Sequence, residues 1–225
     1  MVLRRIDREQ VAGSVQDDFH HFALRITHDE AVIRGVEAET IRAPWSTCPA
    51  ASIPLQRLVG AALFERASDI GRVIDMRAQC THLFDLVGLL VALAWRGDAG
   101  LGYDAYVRGE GPTFDARLDC NGEQMLHWQV VDNYVAGATS VSLGRGFREW
   151  TETLPVAPAE HAFVLRRAVF VAGGRRQRLE EWASPDDLRL PVDVCYSLGS
   201  VVRQTAIRTI GTRVDFAAMA ATAGN

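Results

Sequence analysis

Polar and apolar positions alternate from Asp18 to His28, with His20, Phe22, Leu24 and Ile26 on one face and His21, Ala23, Arg25 and Thr27 on the other. That is the period of a half-buried strand. A turn at His28-Asp29-Glu30 leads into a second β-branched run, Ala31 to Ile41, so residues 18–42 read as a hairpin. The strand ends near Ala43, because Pro44 cannot donate to a ladder and restricts the residue before it.

The pattern then turns helical. Ser46-Thr47-Cys48-Pro49 reads as a helix entrance, with proline at or near the first helical position and Leu55, Leu58 and Val59 as an apolar stripe before Gly60. Cys48 would then stand at a helix N-terminus. A shorter helix is expected between Ser68 and Arg77, and a third from Thr81, its expected N-cap, to Trp95. Leu83, Phe84, Leu86, Val87, Leu89, Leu90, Val91 and Leu93 make the third helix apolar on nearly every side, as expected of a central buried helix.

Arg96-Gly97-Asp98-Ala99-Gly100 breaks that helix and marks the expected boundary between a region 1–98 and a region 99–225, the two packing as one compact unit. Beyond it the period becomes two, with Phe114, Ala116, Leu118 and Cys120 on one face and Leu126, Trp128 and Val130 following Asn121-Gly122. An Asn-Gly pair between alternating runs is a strong hairpin signal. Helices are expected from about Pro158 to Val171 and from about Ser200 to Ile210. Strands and helices cluster rather than alternate, which makes the class α+β. The expected architecture is an N-terminal β-hairpin packed on a buried helix bundle, followed by a second antiparallel hairpin and C-terminal helices.

Composition narrows the function. The chain has 225 residues, is 48% hydrophobic and carries a formal charge of −4, without a broad basic footprint, so nucleic acid is not an expected partner. No run approaches the roughly 18 apolar residues that cross a bilayer, and Met1 to Arg8 holds no apolar leader core, so no membrane partner and a cytoplasmic location are expected. The four cysteines are then expected as free thiols. All 24 basic residues are arginine, which excludes a lysine Schiff base, a pyridoxal-phosphate anchor and a P-loop lysine. Neither pyridoxal phosphate nor a nucleotide is expected as cofactor.

Cys80-Thr81-His82-Leu83 places two soft-ligand side chains two residues apart where the long apolar helix begins. Cys48 and Cys80, at expected helix N-termini, would have depressed thiol pKa values, and the thiolate is the form that binds metal or attacks carbon. His20, Cys48, Cys80 and His82 together form a candidate metal set for Zn(II) or iron, with Asp18 or Asp85 able to replace one ligand. Without a metal, His20 or His82 would be the general base and Cys80 a candidate nucleophile. The plainer alternatives are small buried thiols, a capping His82 and a His20 hydrogen-bonded in the core. Asp17 and Asp18 read either as a paired-carboxylate base or as strand-edge charge.

In the second half, Val164 to Val171 leads into Gly173-Gly174 and Arg175-Arg176-Gln177-Arg178. Glycine amides and guanidinium forks suit a carboxylate or phosphate, and a solvated helix end is the alternative. Arg166, Arg167 and Tyr196 are the substrate-binding candidates. Trp45, Trp95 and Trp128 are expected to line an apolar pocket.

Asp18-Phe19-His20-His21, Leu24-Arg25-Ile26-Thr27, Val36-Glu37-Ala38, Cys48-Pro49, Leu58-Val59-Gly60 and Cys80-Thr81-His82-Leu83 together resemble the DUF2889 family of bacterial proteins. Leu165 to Phe170, Cys195-Tyr196-Ser197 and Asp215-Phe216 are similar to a longer subgroup. The resemblance implies that His20, Cys48, Cys80 and His82 act together and leaves the reaction open. A fainter, architectural likeness is to iron-sulfur scaffolds of the NifU/IscU type, which present three cysteines where this half holds two. The expected function is an enzyme of small-molecule catabolism, a lyase or hydrolase on an aromatic or acyl substrate, working as a monomer or homo-oligomer. The alternatives are a non-catalytic metal or iron-sulfur carrier, and a binding module with structural cysteines.

Overall fold

The computed structural model describes residues 1–109, 111–137, 141–177, 179–187 and 192–216. The chain divides into two compact units, one made of residues 1–100 with 178–225 and the other of residues 101–177. The region expected to run from Ala99 to Asn225 is thus shared between them.

The first unit is built on an antiparallel meander of β1 (Val2–Arg5), β2 (Gln10–Gln16), β3 (His21–His28) and β4 (Ile33–Arg42), each paired with the next. The expected hairpin is β3 with β4. The strands before it are short, and the turn between them is held by the Glu9 amide donating to Asp7 Oδ1 at 2.8 Å. Phe22, Leu24 and Ile26 are buried on the predicted face with Val11 and Val15 of β2. Against that face lies α1 (Thr81–Arg96), in which every residue from His82 to Ala94 except Asp85 is buried. Close approach is written into two glycines. A Cβ at Gly13 would stand 2.7 Å from the Val2 carbonyl oxygen and 3.3 Å from Leu86 Cδ1, and one at Gly88 would stand 2.6 Å from the Ala67 carbonyl oxygen.

Among the described residues one α-helix, rather than the expected bundle, packs on this meander. The other expected helices of the unit are 3-10 turns, at Cys48–Leu58, Ala67–Arg72, Met76–Ala78 and Val202–Gln204. Pro54 explains the first, since inside an α-helix its ring would lack a donor and clash with the preceding turn. The expected Ser200–Ile210 helix fails for a different reason. Its β-branched residues favour extended backbone, and neighbouring strands of chain take its polar groups: Ser46 N–H donates to Ile207 O, Thr209 N–H to Pro44 O and Arg208 N–H to Ala183 O, each at 2.9 Å. The cap of α1 is Cys80 rather than Thr81, and Gly97, at φ +71°, closes its other end with N–H bonds to Leu93 and Ala94 carbonyls.

The second unit is also antiparallel. Strands β5 (Gly100–Arg108), β6 (Thr113–Cys120), β7 (Glu123–Val131), β8 (Tyr134–Val135) and β9 (Val141–Ser142) pair in sequence order. Asn121 and Gly122, both with positive φ, make the predicted two-residue turn between β6 and β7. Two helices follow, α2 (Phe147–Glu152) and α3 (Val156–Gly173), and α3 packs on β6 and β7. The class is α+β, as the clustering of periods implies. No helix among the described residues is long and apolar enough to cross a membrane.

Candidate metal centre

Asp17 directly follows β2 and His20 directly precedes β3, so both stand on one tight connection. Asp17 organises that turn. Its Oδ1 accepts the backbone N–H groups of Phe19 and His20, both at 2.8 Å, and lies 3.0 Å from His20 Nδ1. The Asp17 N–H in turn donates to the His20 carbonyl at 2.9 Å. An aspartate folded back on amides two and three residues ahead is a favoured turn device.

The third side chain arrives from α1. His82, in the first turn of that helix, brings Nε2 to 2.6 Å from Asp17 Oδ2. Its ring lies over His20, with centroids 4.0 Å apart, and both imidazoles pack beside Phe22. One ligand atom from each of Asp17, His20 and His82 lies within 4.8 Å of the others, and among the described residues this is the only group of three or more potential metal ligands. Burial works to raise the Asp17 pKa, yet the charges of His20 and His82 and their hydrogen bonds outweigh it and hold the carboxyl well below its ordinary range.

The expected four-residue set is therefore divided. His20 and His82 meet, but Asp17 completes the group and neither thiol enters it. Cys80 flanks the cluster, its Sγ 4.0 Å from His82 Nδ1, while Cys48 faces Ser197 with Sγ and Oγ 3.3 Å apart. Both thiols also behave oppositely to expectation. Burial pushes Cys48 up to about 11, against hydrogen bonds at Ser197 and Trp45, and pushes Cys80 higher still. Desolvation of the thiolate outweighs the helix-end field, so neither is the ready nucleophile that its place at a helix start implied. Asp18, the alternative ligand, is buried beside the group, and Asp85 is half-buried one turn along α1 from His82.

The remaining candidates lie elsewhere. Arg166 and Arg167 are on α3 of the second unit, where the Arg166 guanidinium donates to the Leu143 carbonyl at 2.6 Å and lies over the rings of Phe147 and Phe170. Tyr196 opens a 3-10 turn of the first unit, its N–H bonded to the Gln79 carbonyl at 2.9 Å. Trp45 is buried under Arg208 and Trp95 is half exposed at the end of α1. Trp128 belongs to the second unit, where it packs against Phe147.

Two residues of the site went unmarked as ligand or support. Asp17 was legible only as a base or edge charge, although its spacing to His20 suits an Asx turn. Arg42, whose guanidinium donates to the carbonyls of Asp17, Asp18, His20 and Thr212, carried no sequence signal, because such partners are scattered along the chain.

Fold and cluster together define an α+β protein whose first unit holds a two-histidine, one-carboxylate group. Residues 4–96, which run from within β1 through the rest of the meander, the 3-10 turns between Cys48 and Ala78 and α1, match the family model described as "Protein of unknown function (DUF2889)". No curated protein and no solved structure matches the chain.

Proposed function

We propose that the DUF2889 region binds a divalent transition metal through Asp17, His20 and His82 and uses its open coordination positions in hydrolysis or elimination on a small molecule. The observation that carries this reading is the convergence of two imidazoles and a carboxylate within 4.8 Å on a tight turn and a helix start. A metal with bonds of about 2.0–2.2 Å holds its ligand atoms about 3.4 Å apart, so small side-chain adjustments suffice. Three protein ligands with positions left over are the pattern of catalytic zinc, and two histidines with one carboxylate also suit non-haem iron. Such a metal supplies a Lewis acid or an activated water. Ligation needs an ionised carboxylate, and Asp17, held well below its ordinary range, supplies one. We place this chemistry in the cytoplasm, where the four cysteines would persist as free thiols.

A metal-free reading draws on the 2.6 Å contact between Asp17 and His82, in which the carboxylate orients an imidazole as general base. The iron-sulfur carrier has less support, because no group of three ligands among the described residues includes a cysteine. Elemental analysis of protein purified without chelator, together with Co(II) titration of wild type and of Asp17→Asn, His20→Ala and His82→Ala, separates them. One equivalent bound by wild type and lost in all three variants supports the metal centre. Wild type that takes up no metal, yet loses an activity on replacement of His82, would favour the base.

A further inference from the structure

Two of the three proposed ligands sit on a connection of only four residues, 17–20, and the direction of their side chains depends on how that backbone is held. One side chain gathers three of its four carbonyls. Arg42, the last residue of β4 and the ladder partner of His21, donates through Nη2 to the carbonyls of Asp17 at 2.6 Å and His20 at 3.1 Å, and through Nη1 to the carbonyl of Asp18 at 3.0 Å. The same Nη1 donates to the Thr212 carbonyl at 2.8 Å. Thus a single guanidinium gathers three carbonyls of the turn and one from the far end of the chain.

A second link runs in the same direction. Val214 N–H donates to the Asp18 carbonyl at 2.8 Å, and the Arg213 guanidinium lies over the Phe19 ring. Residues 212–214, well beyond the matched stretch 4–96, therefore brace the turn from outside, with Arg42 between.

We infer that Arg42 is a positioning residue for the metal centre, fixing the turn that presents Asp17 and His20 and coupling it to the 212–214 segment. This rests on the metal reading of the preceding section. The fork is essential to the role, since four carbonyls are shared between Nη1 and Nη2, which suits the rigid N–H array of arginine and not the compact point charge of an ammonium. Supports of this kind, one shell removed from the metal, are typically worth 10-fold to 100-fold in affinity. The bulge between His21 and Phe22, beside the Arg42 pairing, re-aims the strand where the turn leaves it.

The test is Co(II) titration of the full chain, followed by visible absorption, for wild type, Arg42→Lys and Arg42→Gln, with the melting temperature of each measured in parallel. Arg42→Gln is expected to weaken Co(II) binding at least about tenfold and to alter the absorption bands, with Arg42→Lys between it and wild type. Arg42→Lys keeps the charge, so it carries the test if Arg42→Gln does not fold. Wild-type affinity and spectrum in the folded variants, whatever their melting temperatures, would overturn the inference and leave the metal centre standing. Wild type that binds no Co(II) would instead overturn the metal reading, and this role of Arg42 with it.

Discussion

Oδ2 of Asp17 lies 2.6 Å from Nε2 of His82, joining the turn after β2 to the first turn of α1. The contact has a structural consequence independent of any metal. A half-buried carboxylate that holds two imidazoles and two amides loses much of that when its charge is removed. Asp17→Asn, which can still accept the amides of Phe19 and His20, is expected to cost about 2 kcal/mol of stability, the scale of hydrogen bonds to a charged group. Urea denaturation checks this, and a variant as stable as wild type would show that the contact contributes nothing.

His28 gives the clearest pH dependence. It is buried, its Nδ1 accepts the Glu30 N–H at 3.1 Å, and burial first and the Arg5 charge second lower its pKa, against the opposing pull of Glu30, Asp29 and Glu9. The folded state thus binds its proton later than the unfolded chain. Above the ordinary value of about 6.5 the group leaves stability unchanged. As pH falls below it the unfolded chain takes up the proton first, and stability drops until the folded-state pKa is passed. His28→Asn, which preserves an acceptor for Glu30, should lose less stability than wild type between about pH 7.5 and about pH 5.5. Parallel losses in thermal denaturation at the two values would refute the assignment.

Much of this architecture was legible in the chain, and what was not has identifiable causes. Alternation marked β3, β4, β6 and β7, and the burial of α1 followed from its apolar run. β1 and β2 escaped because Arg4, Arg5, Gly13 and Ser14 dilute the apolar face that Leu3, Val11 and Val15 provide. Two helical periods became a 3-10 helix or extended chain where Pro54 or partners from distant backbone overrode local preference, and the Ser68–Arg77 one became two short 3-10 turns. At the site, His20 and His82 stood out as residue types with metal chemistry, and their meeting needed only the buried hairpin face and the helix start. Cys48 and Cys80 misled because a helix-end argument ignores burial, which pushes both thiols up. Arg42 could not be found by residue type, since any surface arginine looks the same until its four carbonyls are in place.

The thiols therefore make a prediction of their own. Cys195 is half-buried whereas Cys48, Cys80 and Cys120 are buried, and burial raises the last three away from the reactive thiolate. In the folded protein near neutral pH, iodoacetamide should label Cys195 first, with the others modified only on unfolding. Peptide mass spectrometry at timed intervals reads the order, and early labelling of Cys80 would restore it as a candidate nucleophile.

Gly88 decides between two opposing effects of known size. Replacing a helix-interior glycine with alanine ordinarily gains about 1 kcal/mol of helix propensity. Here the added methyl would stand 2.6 Å from the Ala67 carbonyl oxygen and 3.2 Å from Ile70 Cγ2. A backbone carbonyl cannot swing aside as a side-chain end does, so α1 and the 67–72 turn must separate, an overpacking cost of about 1–3 kcal/mol. Gly88→Ala is therefore expected to lower the melting temperature rather than raise it. A rise in thermal denaturation would mean that the two backbones lie further apart than the closeness of Gly88 and Ala67 implies.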